Sequence, residues 1–214
     1  MKEKVIKSIW LFVIGSIIGY IFEAIVVIAQ EGHYVVRQGL IYGPFIPVYG
    51  IGGVMYYLVL SNMKLSKNKT LKDILSVFGI TMILGGLTEY VSSLVQEMCF
   101  GTVSWDYSHL PFNVAGRTSL LHCSYWGTFG VAYYLLVEPL IRKADPIINN
   151  KITLIATLLI ALYMILNIVI SSLACYRQYE RRKNIEATNP IQTFLDECYP
   201  DEYLKEIYTN IRER

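Results

Sequence analysis

Most of the chain consists of five long apolar segments that alternate with short polar connections. The segments cover residues 5–29, 38–61, 74–98, 118–141 and 152–175. Each is long enough to cross a hydrocarbon core of about 30 Å, which takes about 20 apolar residues in a helix. The pattern therefore predicts an all-α fold, a multi-pass transmembrane bundle of about five helices. Residues 1–175 form the predicted membrane domain, and residues 176–214 form a polar, helical, amphipathic C-terminal tail.

Composition and charge agree with this prediction and orient the bundle. Of the 214 residues, 54% are hydrophobic and only 17% are charged, which is typical of a membrane protein. An excess of lysine and arginine marks the cytoplasmic side of a membrane. One end of the segments carries Lys2, Lys4, Lys7, Lys64, Lys67, Lys69, Lys72, Arg142, Lys143 and Lys151. If all five segments cross, the other end carries Arg37, Arg117, Arg177, Arg181, Arg182 and Lys183. The N-terminus is therefore expected in the cytoplasm, while the side of the tail stays open.

The sequence contains few signatures of catalysis, nucleotide binding or metal binding. It has no G-x-x-x-x-G-K-[ST], HExxH or GxSxG motif, so the chain itself is not expected to bind ATP in the P-loop manner. Its histidines and cysteines lack the spacing of metal ligands, and no cofactor or metal is expected. The first segment is too long for a secretory signal and lacks a small-x-small cleavage site, so it is expected to remain as a helix.

Two pairs of segments resemble each other in sequence. Residues 15–31 align with residues 81–97, and both read G-x-x-x-E-x6-Q-E. The later block "YGIGGVMYYLVL" aligns with "WGTFGVAYYLLV", and Arg37 and Leu40 between the blocks correspond to Arg117 and Leu120. Apolar helices can resemble one another by composition alone, but the polar matches are less easily produced in that way.

The alignment predicts a duplicated two-helix unit. The first repeat covers about residues 10–62 and the second about residues 76–139, while the helix at 152–175 lies outside the repeat. Each unit contains an even number of crossings. The two copies are therefore expected to run in the same direction, related by an axis along the membrane normal.

Glu23 and Glu89 are carboxylates within otherwise apolar segments. A charge at membrane depth costs about 3 kcal/mol on insertion scales, so such a residue normally faces the bundle interior, water or a partner. Gly19 and Gly85 each lie four residues earlier, on the same helical face, where a small residue permits close helix contact. Both carboxylates are expected in the outer half of the membrane. They either line a substrate, ion or proton site or only hold helices together.

The connections at the outer end are rich in polar residues and in helix breakers. The stretch "RQGLIYGPFIPVYGIGG" contains Pro44 and Pro47, which predict a kinked or broken entry to the second helix. The stretch from Phe100 to Arg117 is predicted to form an ordered cap over the outer end, with a solvated loop as the alternative. Arg37 and Arg117 either pair with nearby glutamates or hold an anionic group such as a lipid phosphate.

The tail has two helix signals. Asn189 is a predicted N-cap with Pro190 at the first helical position, and Pro200 with Asp201 starts a second helix. An apolar stripe follows, formed by Leu204, Ile207, Tyr208 and Ile211. This stripe is expected to lie on the membrane or to dock on a partner, unless the helix is merely solvated.

The run "RQGLIYGPFIPVYGIG", the later "WDYSHLPFNVAGR" and the two helix-borne glutamates resemble the ABC-transporter type IV family of bacterial membrane proteins. The resemblance covers about residues 8–142. Gln38 stands where the family has glycine directly after the arginine, which affects the geometry of that loop. The resemblance implies a multi-pass helical protein of the bacterial plasma membrane, and it implies transport only through the family's name. If the chain is an ABC permease, a separate ATPase subunit must bind its cytoplasmic face.

These observations favour a permease-like membrane protein with an outward-facing polar pocket for a small polar or cationic substrate. The predicted substrate-binding residues are Glu23, Glu89, Arg37, Glu97, Trp105, Asp106, Asn113 and Arg117. One alternative is an intramembrane enzyme acting on an outer-leaflet lipid-linked substrate, with a glutamate or Asp106 as general base. The other is a regulatory or assembly subunit. The expected partners are the lipid bilayer, the ATPase and a second copy of the chain, and no nucleic acid.

Overall fold

The computed structural model describes residues 2–66, 68–143 and 150–214. Lys67 and most of the predicted basic connection from Arg142 to Lys151 lie outside these residues. The helices are α1 (Lys2–Glu31), α2 (Pro47–Leu60), α3 (Leu71–Phe100), α4 (Leu120–Ala132), α5 (Glu138–Lys143), α6 (Lys151–Arg182), α7 (Pro190–Cys198) and α8 (Asp201–Ile207). Four two-residue strands accompany them: β1 (Thr102–Val103), β2 (Asn113–Val114), β3 (Thr118–Ser119) and β4 (Arg212–Glu213).

The fold is a helical bundle, as the sequence predicts. In the described residues, α1, α3 and α6 are long and apolar enough to cross a membrane, whereas α2 is a shorter apolar helix. A π-helical turn, Tyr133–Val137, joins α4 to α5, so the helical backbone continues to Lys143. The chain is thus a membrane protein built of apolar helices, and the number of crossings stays a prediction.

Local sequence explains where α3 begins and ends. The Thr70 hydroxyl accepts a hydrogen bond from the Asp73 backbone N–H, and the Asp73 carboxylate accepts one from the Thr70 N–H. This reciprocal capping box satisfies donors that the first helical turn leaves free. At the other end Gly101 has φ +61°, a left-handed conformation that glycine adopts without strain. These signals fix the length of the helix that carries Glu89.

The predicted broken entry to the second helix is confirmed. The helix begins at Pro47, and residues 38–46 are non-helical, although the apolar pattern begins at residue 38. Two polar side chains of α6 form hydrogen bonds with the backbone groups of this irregular segment. Asn167 accepts a hydrogen bond from the Tyr42 N–H (3.2 Å) and donates to the Tyr42 carbonyl (2.6 Å), while the Ser171 hydroxyl accepts from the Ile41 N–H (2.9 Å). Irregular backbone at membrane depth requires such protein partners.

The helices pack as two pairs, α1 with α2 and α3 with α4, and α6 lies against α1 and α3. The central core consists of buried residues from both pairs: Leu11, Tyr56, Leu60, Val77, Trp126, Tyr133 and Tyr134. Large apolar side chains on the outward faces are exposed, as expected for surfaces that face lipid. The proposed sequence duplication stays a prediction, but each of its units corresponds to one of these closely packed pairs.

The tail docks on the bundle itself. Both predicted helices are present, and the Asn189 side chain caps α7 by accepting from the Gln192 N–H. The apolar stripe was expected on the membrane, on a partner or in solvent. Instead its residues Leu204, Ile207 and Tyr208 are buried in a cluster that includes Ile41. The stripe is covered because the segment before α2 and the end of α6 offer a matching apolar surface.

This docking places the tail beside two other irregular segments. We call this part of the bundle the loop end, and it comprises residues 32–46, 101–119 and 183–214. The tail bonds directly to both of the other segments, through an isolated bridge between Arg37 and Tyr208 and through pairing of β1 with β4. The tail therefore lies at the loop end of the bundle.

Charged side chains fasten the tail to the end of α6. Arg177 is 2% exposed and binds Asp196 with two nitrogens, at 2.9 Å each. Arg181 binds both Asp196 (2.6 Å) and Asp201. The bidentate hydrogen bonds from Arg177 and the charge of Arg181 lower the pKa of Asp196. Such paired arginines stabilise the ionised carboxylate and fix the geometry of α7.

The lowered pKa of Asp196 makes the docking of the tail sensitive to acid. A carboxylate with a lowered pKa in the folded state contributes stability above its ordinary pKa of about 4, and this contribution is lost as the pH falls through the folded value. We expect Asp196→Asn to reduce the free energy of unfolding at pH 7 by about 1.5–3 kcal/mol, because a hydrogen-bonded charge is removed. Thermal unfolding of the wild type should show the onset of this loss as the pH falls from 6 to 3, and the variant should show less.

Glu197→Gln is the matched control, since Glu197 is the exposed neighbour of Asp196 on the same helix. Its unfolding should follow the wild type at every pH. An Asp196→Asn variant that is as stable as the wild type at pH 7 would contradict this account of the tail.

Candidate functional site

The two intramembrane glutamates converge on one polar cluster inside the bundle. The Tyr49 hydroxyl donates to Glu23 Oε1 at 2.7 Å. On the other helix pair, the Tyr107 hydroxyl donates to Glu89 Oε1 (3.1 Å), and the Thr118 hydroxyl donates to Glu89 Oε2 (2.6 Å). We call these five side chains the carboxylate site. It draws on α1, α2 and α3 and on the connection between α3 and α4.

The two halves of the carboxylate site are close enough to interact electrostatically. The carboxylate of Glu89 interacts with the charge of Glu23. The hydroxyls of Tyr49 and Tyr107 each interact with both glutamates. Burial raises the pKa of Tyr107, and the neighbouring carboxylates Glu89 and Glu23 raise it further. Tyr107 therefore stays protonated at neutral pH and remains a hydrogen-bond donor to Glu89.

The two glutamates differ in burial and in charge compensation. The side chain of Glu23 is 30% exposed, and Arg37 lies 4.0 Å from its carboxylate. Glu89 is only 7% exposed. Within the part of the chain that the structure describes, the arginines at this end pair with other glutamates, and no ion pair reaches Glu89. The buried carboxylate is thus held by neutral hydroxyl groups.

Equivalent positions of the sequence alignment make equivalent contacts around each glutamate. A Cβ atom on Gly19 would lie 2.3 Å from the ring of Tyr49, and one on Gly85 would lie 2.1 Å from the Cβ of Trp126. Tyr49 and Trp126 are the first residues of the two aligned blocks, and their ring centroids lie 5.4 Å apart. In each pair an aromatic residue therefore occupies the space beside the glycine that precedes the glutamate by one turn.

Each helix pair also carries an arginine–glutamate ion pair at the loop end. Arg37 binds Glu31 at 3.2 Å, and both side chains are partly exposed. Arg117 binds Glu97 at 2.5 Å and also donates to the Ser93 hydroxyl at 3.2 Å. Of the two expectations for these arginines, pairing with nearby glutamates is the one found.

The connection between α3 and α4 is ordered by its own hydrogen bonds. Trp105 Nε1 donates to the Arg117 carbonyl (2.8 Å), and the Tyr107 N–H donates to the Gly116 carbonyl (2.8 Å). The ring of Tyr107 stacks on His122 of α4, with centroids 3.6 Å apart. This order agrees with the predicted cap, because the connection delivers Tyr107 to Glu89.

Two predicted site residues shape the connection and do not reach the glutamates. Asp106 is exposed and accepts hydrogen bonds from the N–H and the hydroxyl of Ser108, which lower the pKa of its carboxyl. Asn113 donates to the Leu110 carbonyl (2.7 Å) and accepts from the Gly116 N–H. Both side chains stabilise turns, so the structure gives Asp106 no contact that would make it a base at this site.

The eight predicted residues therefore fall into three groups. The structure brings Glu23, Glu89 and Arg37 together at the carboxylate site, and it places Glu97, Trp105 and Arg117 together at the loop end. Asp106 and Asn113 lie in turns. Sequence reasoning missed Tyr49, Tyr107, Thr118 and Trp126. The alignment held a signal for two of them, because Tyr49 and Trp126 are both aromatic and occupy the first position of the two aligned blocks.

The carboxylate site has no cluster of potential metal ligands beyond its two glutamates. In residues 2–66, 68–143 and 150–214, no group of three or more His, Cys, Asp or Glu side chains is arranged to hold a metal ion. The groups that surround Glu89 are hydroxyls and aromatic rings. This environment can accept a proton or a cationic group at a carboxylate, and it offers few oxygen ligands to a hard divalent cation.

Comparisons with known proteins identify one family. The model of the family described as "Putative ABC-transporter type IV" matches residues 10–172, which include the three helices and the connection that build the carboxylate site. No curated protein and no solved structure matches the chain. The family match extends beyond the resemblance seen in the sequence motifs and takes in most of α6.

The contact between Gly85 and Trp126 generates a stability prediction. Gly85→Ala places a methyl group where the Cβ of Trp126 lies, and overpacking of this kind costs about 1–3 kcal/mol. Gly79→Ala is the matched control on the same helix, because no atom lies within 4 Å of the added methyl group. Thermal unfolding in nanodiscs should show a lower midpoint for Gly85→Ala and an unchanged or higher one for Gly79→Ala. Equal midpoints for the two variants would contradict the packing described here.

Proposed function

The chain belongs to the ABC-transporter type IV family, and from this premise we propose that it is a permease-like membrane subunit with a cation site at Glu23 and Glu89. The ligand is a proton, a small monovalent cation or an amine. The permease binds it between its two helix pairs. It acts by binding and movement, and not by catalysis.

One observation carries this proposal, the buried carboxylate of Glu89 without a basic partner in the described chain. Ionised carboxylates inside a membrane protein normally pair with a cation or take up a proton, because their desolvation is otherwise uncompensated. Thr118 and Tyr107 solvate the carboxylate but bring no positive charge. A cationic ligand would supply the missing charge. In many transporters the substrate and coupling-ion sites lie at the interface of repeated helix units.

The arginines support a cationic rather than an anionic ligand. Arg37 and Arg117 are both engaged by glutamates, at 3.2 Å and 2.5 Å. Capture of a phosphate or carboxylate would require these ion pairs to break. An ionised Glu89 would then be the uncompensated charge of this region, which attracts a cation and repels an anion. The enzyme alternative, which needs free arginines for a lipid phosphate, has no comparable support.

The distribution of basic residues indicates which side of the membrane each end of the bundle faces. We assign the N-terminus of α1 to the cytoplasm and the loop end to the outside of the bacterial plasma membrane, in accordance with the positive-inside rule. The carboxylate site then lies about 12 Å below the outer end of α1, since Glu23 precedes Glu31 by eight residues. A ligand would reach it from the loop end.

The assigned cytoplasmic end offers the contact points for a separate ATPase. Lys64, Lys72, Arg142 and Lys143 are exposed there. Lys69 ties the connection between α2 and α3 to the π-helical turn, because its ammonium donates to the carbonyls of Tyr134 (3.3 Å) and Leu135 (2.9 Å). A partner that moves this connection would therefore act on the helix that carries Trp126. Recovery of an ATPase in fixed stoichiometry supports this part of the proposal, and a transport-active preparation without one excludes it.

The cation site is tested by ligand-induced stabilisation of the protein in nanodiscs. Sodium, potassium, ammonium and methylammonium chloride replace N-methylglucamine chloride at constant ionic strength, and the pH is varied from 5 to 8. A bound ligand at 100 times its Kd stabilises the protein by about 2.7 kcal/mol, which raises the midpoint by about 5–10 °C. We expect such a shift for the wild type with at least one cation or with protons, and its loss in Glu89→Gln.

Glu138→Gln is the control for this experiment. It makes the same chemical change at a carboxylate that pairs with Arg142 at the assigned cytoplasmic end. Its midpoint should respond to the ligand as the wild type does. A shift that persists in Glu89→Gln, or the absence of any cation- or proton-dependent shift in the wild type, would contradict the proposal.

A further inference from the structure

The last six residues of the chain, 209–214, extend across the loop end, and we call them the strap. We propose that the strap is a gate that holds the loop end closed over the carboxylate site and detaches to open it. The inference rests on the proposed function only in regarding the carboxylate site as the part that needs access. The gate itself follows from the contacts of the strap.

The strap bonds to the outer connections of both helix pairs. Its first residue, Thr209, donates through its hydroxyl to the Val36 carbonyl in the segment between α1 and α2. The next residue, Asn210, donates to the Ser104 carbonyl in the connection between α3 and α4 (3.1 Å). Two consecutive residues therefore link the two helix pairs at the loop end. The pairs cannot separate there while both bonds are intact.

The end of the strap adds a strand and two polar contacts to the second helix pair. Strand β4 pairs antiparallel with β1, so that Glu213 lies opposite Thr102. Arg214 donates to the Ala115 carbonyl (3.1 Å), and its guanidinium lies 3.8 Å from Glu97. Glu97 thus contacts an arginine of the strap in addition to Arg117. The strap therefore contacts the Arg117–Glu97 ion pair of the second helix pair.

These contacts are coupled to the carboxylate site by short covalent and hydrogen-bonded links. Ser104 and Ala115 belong to the same connection as Tyr107, which donates to Glu89. Val36 directly precedes Arg37, which lies 4.0 Å from Glu23. Detachment of the strap would remove one set of contacts from each connection. Movement of either one would withdraw a group from a carboxylate.

The tail is built with a firm base and a weakly held end, as a gate requires. The base is buried around Leu204, Ile207 and Tyr208 and is fastened by the arginine–aspartate pairs of α6. In contrast, Thr209 and residues 212–214 are exposed, Ile211 is only partly buried against the base, and β4 is only two residues long. Segments with few buried contacts open locally at small free-energy cost. The strap can therefore detach while the base stays docked.

Access to the carboxylate site can be measured at a native thiol. Cys123 Sγ lies 3.4 Å from the Thr118 hydroxyl, which donates to Glu89. In a background where the other cysteines, Cys99, Cys175 and Cys198, are replaced by alanine, the rate at which a charged, membrane-impermeant maleimide labels Cys123 reports water access to the site. The background protein in nanodiscs supplies the reference rate.

Two variants test the gate in opposite directions. Truncation after Tyr208 removes the strap and keeps the buried base. We expect it to raise the labelling rate at least about tenfold, the factor that corresponds to the net loss of one or two hydrogen bonds. The second variant carries Thr102→Cys and Glu213→Cys, whose antiparallel pairing brings the two positions within reach of a disulfide. Oxidation should reduce the labelling rate about tenfold below that of the reduced form.

Each outcome either supports or overturns the gate. Unchanged labelling in a truncated protein that keeps its unfolding midpoint, or equal rates in the oxidised and reduced double-cysteine variant, would overturn it. If truncation unfolds the protein, the double-cysteine comparison decides alone. The labelling requires no cation to bind. A failed gate therefore leaves the proposed cation site standing, and a failed cation site leaves the labelling result standing.

Discussion

The uncompensated burial of the Glu89 carboxylate is the constraint on which the site depends. A bilayer offers no water to solvate such a group, so the protein must supply every partner. Thr118 and Tyr107 supply hydrogen bonds to it, and both come from the connection that precedes α4. The hydrogen bonds that order this connection therefore also hold these two side chains against the carboxylate. The same requirement explains why α6 presents polar side chains to the irregular segment before α2.

The two helix pairs each contribute one glutamate to the carboxylate site, and the two glutamates differ in burial and in their partners. Glu23 is partly exposed and near Arg37, whereas Glu89 is enclosed and held by hydroxyl groups. Under the proposed function, the partly exposed Glu23 and the buried Glu89 would bind a cation in turn. Aromatic rings fill the space beside each preceding glycine, and the rings of Tyr49 and Trp126 contact each other between the two helix pairs.

Part of this arrangement could be predicted from the sequence, and the rest could not, for identifiable reasons. Glu23 and Glu89 were found because a carboxylate in an apolar segment is costly, and the broken entry at Pro47 because proline cannot continue a helix. Tyr107 and Thr118 were missed because hydroxyl and aromatic residues are common near membrane interfaces and only the fold shows where they point. The two helices of the tail follow from Asn189 and the prolines at their starts. The tail's covering surface near Ile41 is distant in sequence and carries no local signal.

If the two helix pairs build one site around Glu23 and Glu89, the two glutamates must interact. A double-mutant cycle measures this interaction from the free energy of unfolding of Glu23→Gln, Glu89→Gln and the double variant. Like charges in one site repel, so we expect the two effects to differ from additivity by about 0.5–3 kcal/mol. Additive effects, within about 0.3 kcal/mol, would show that the glutamates act independently and would contradict a shared site.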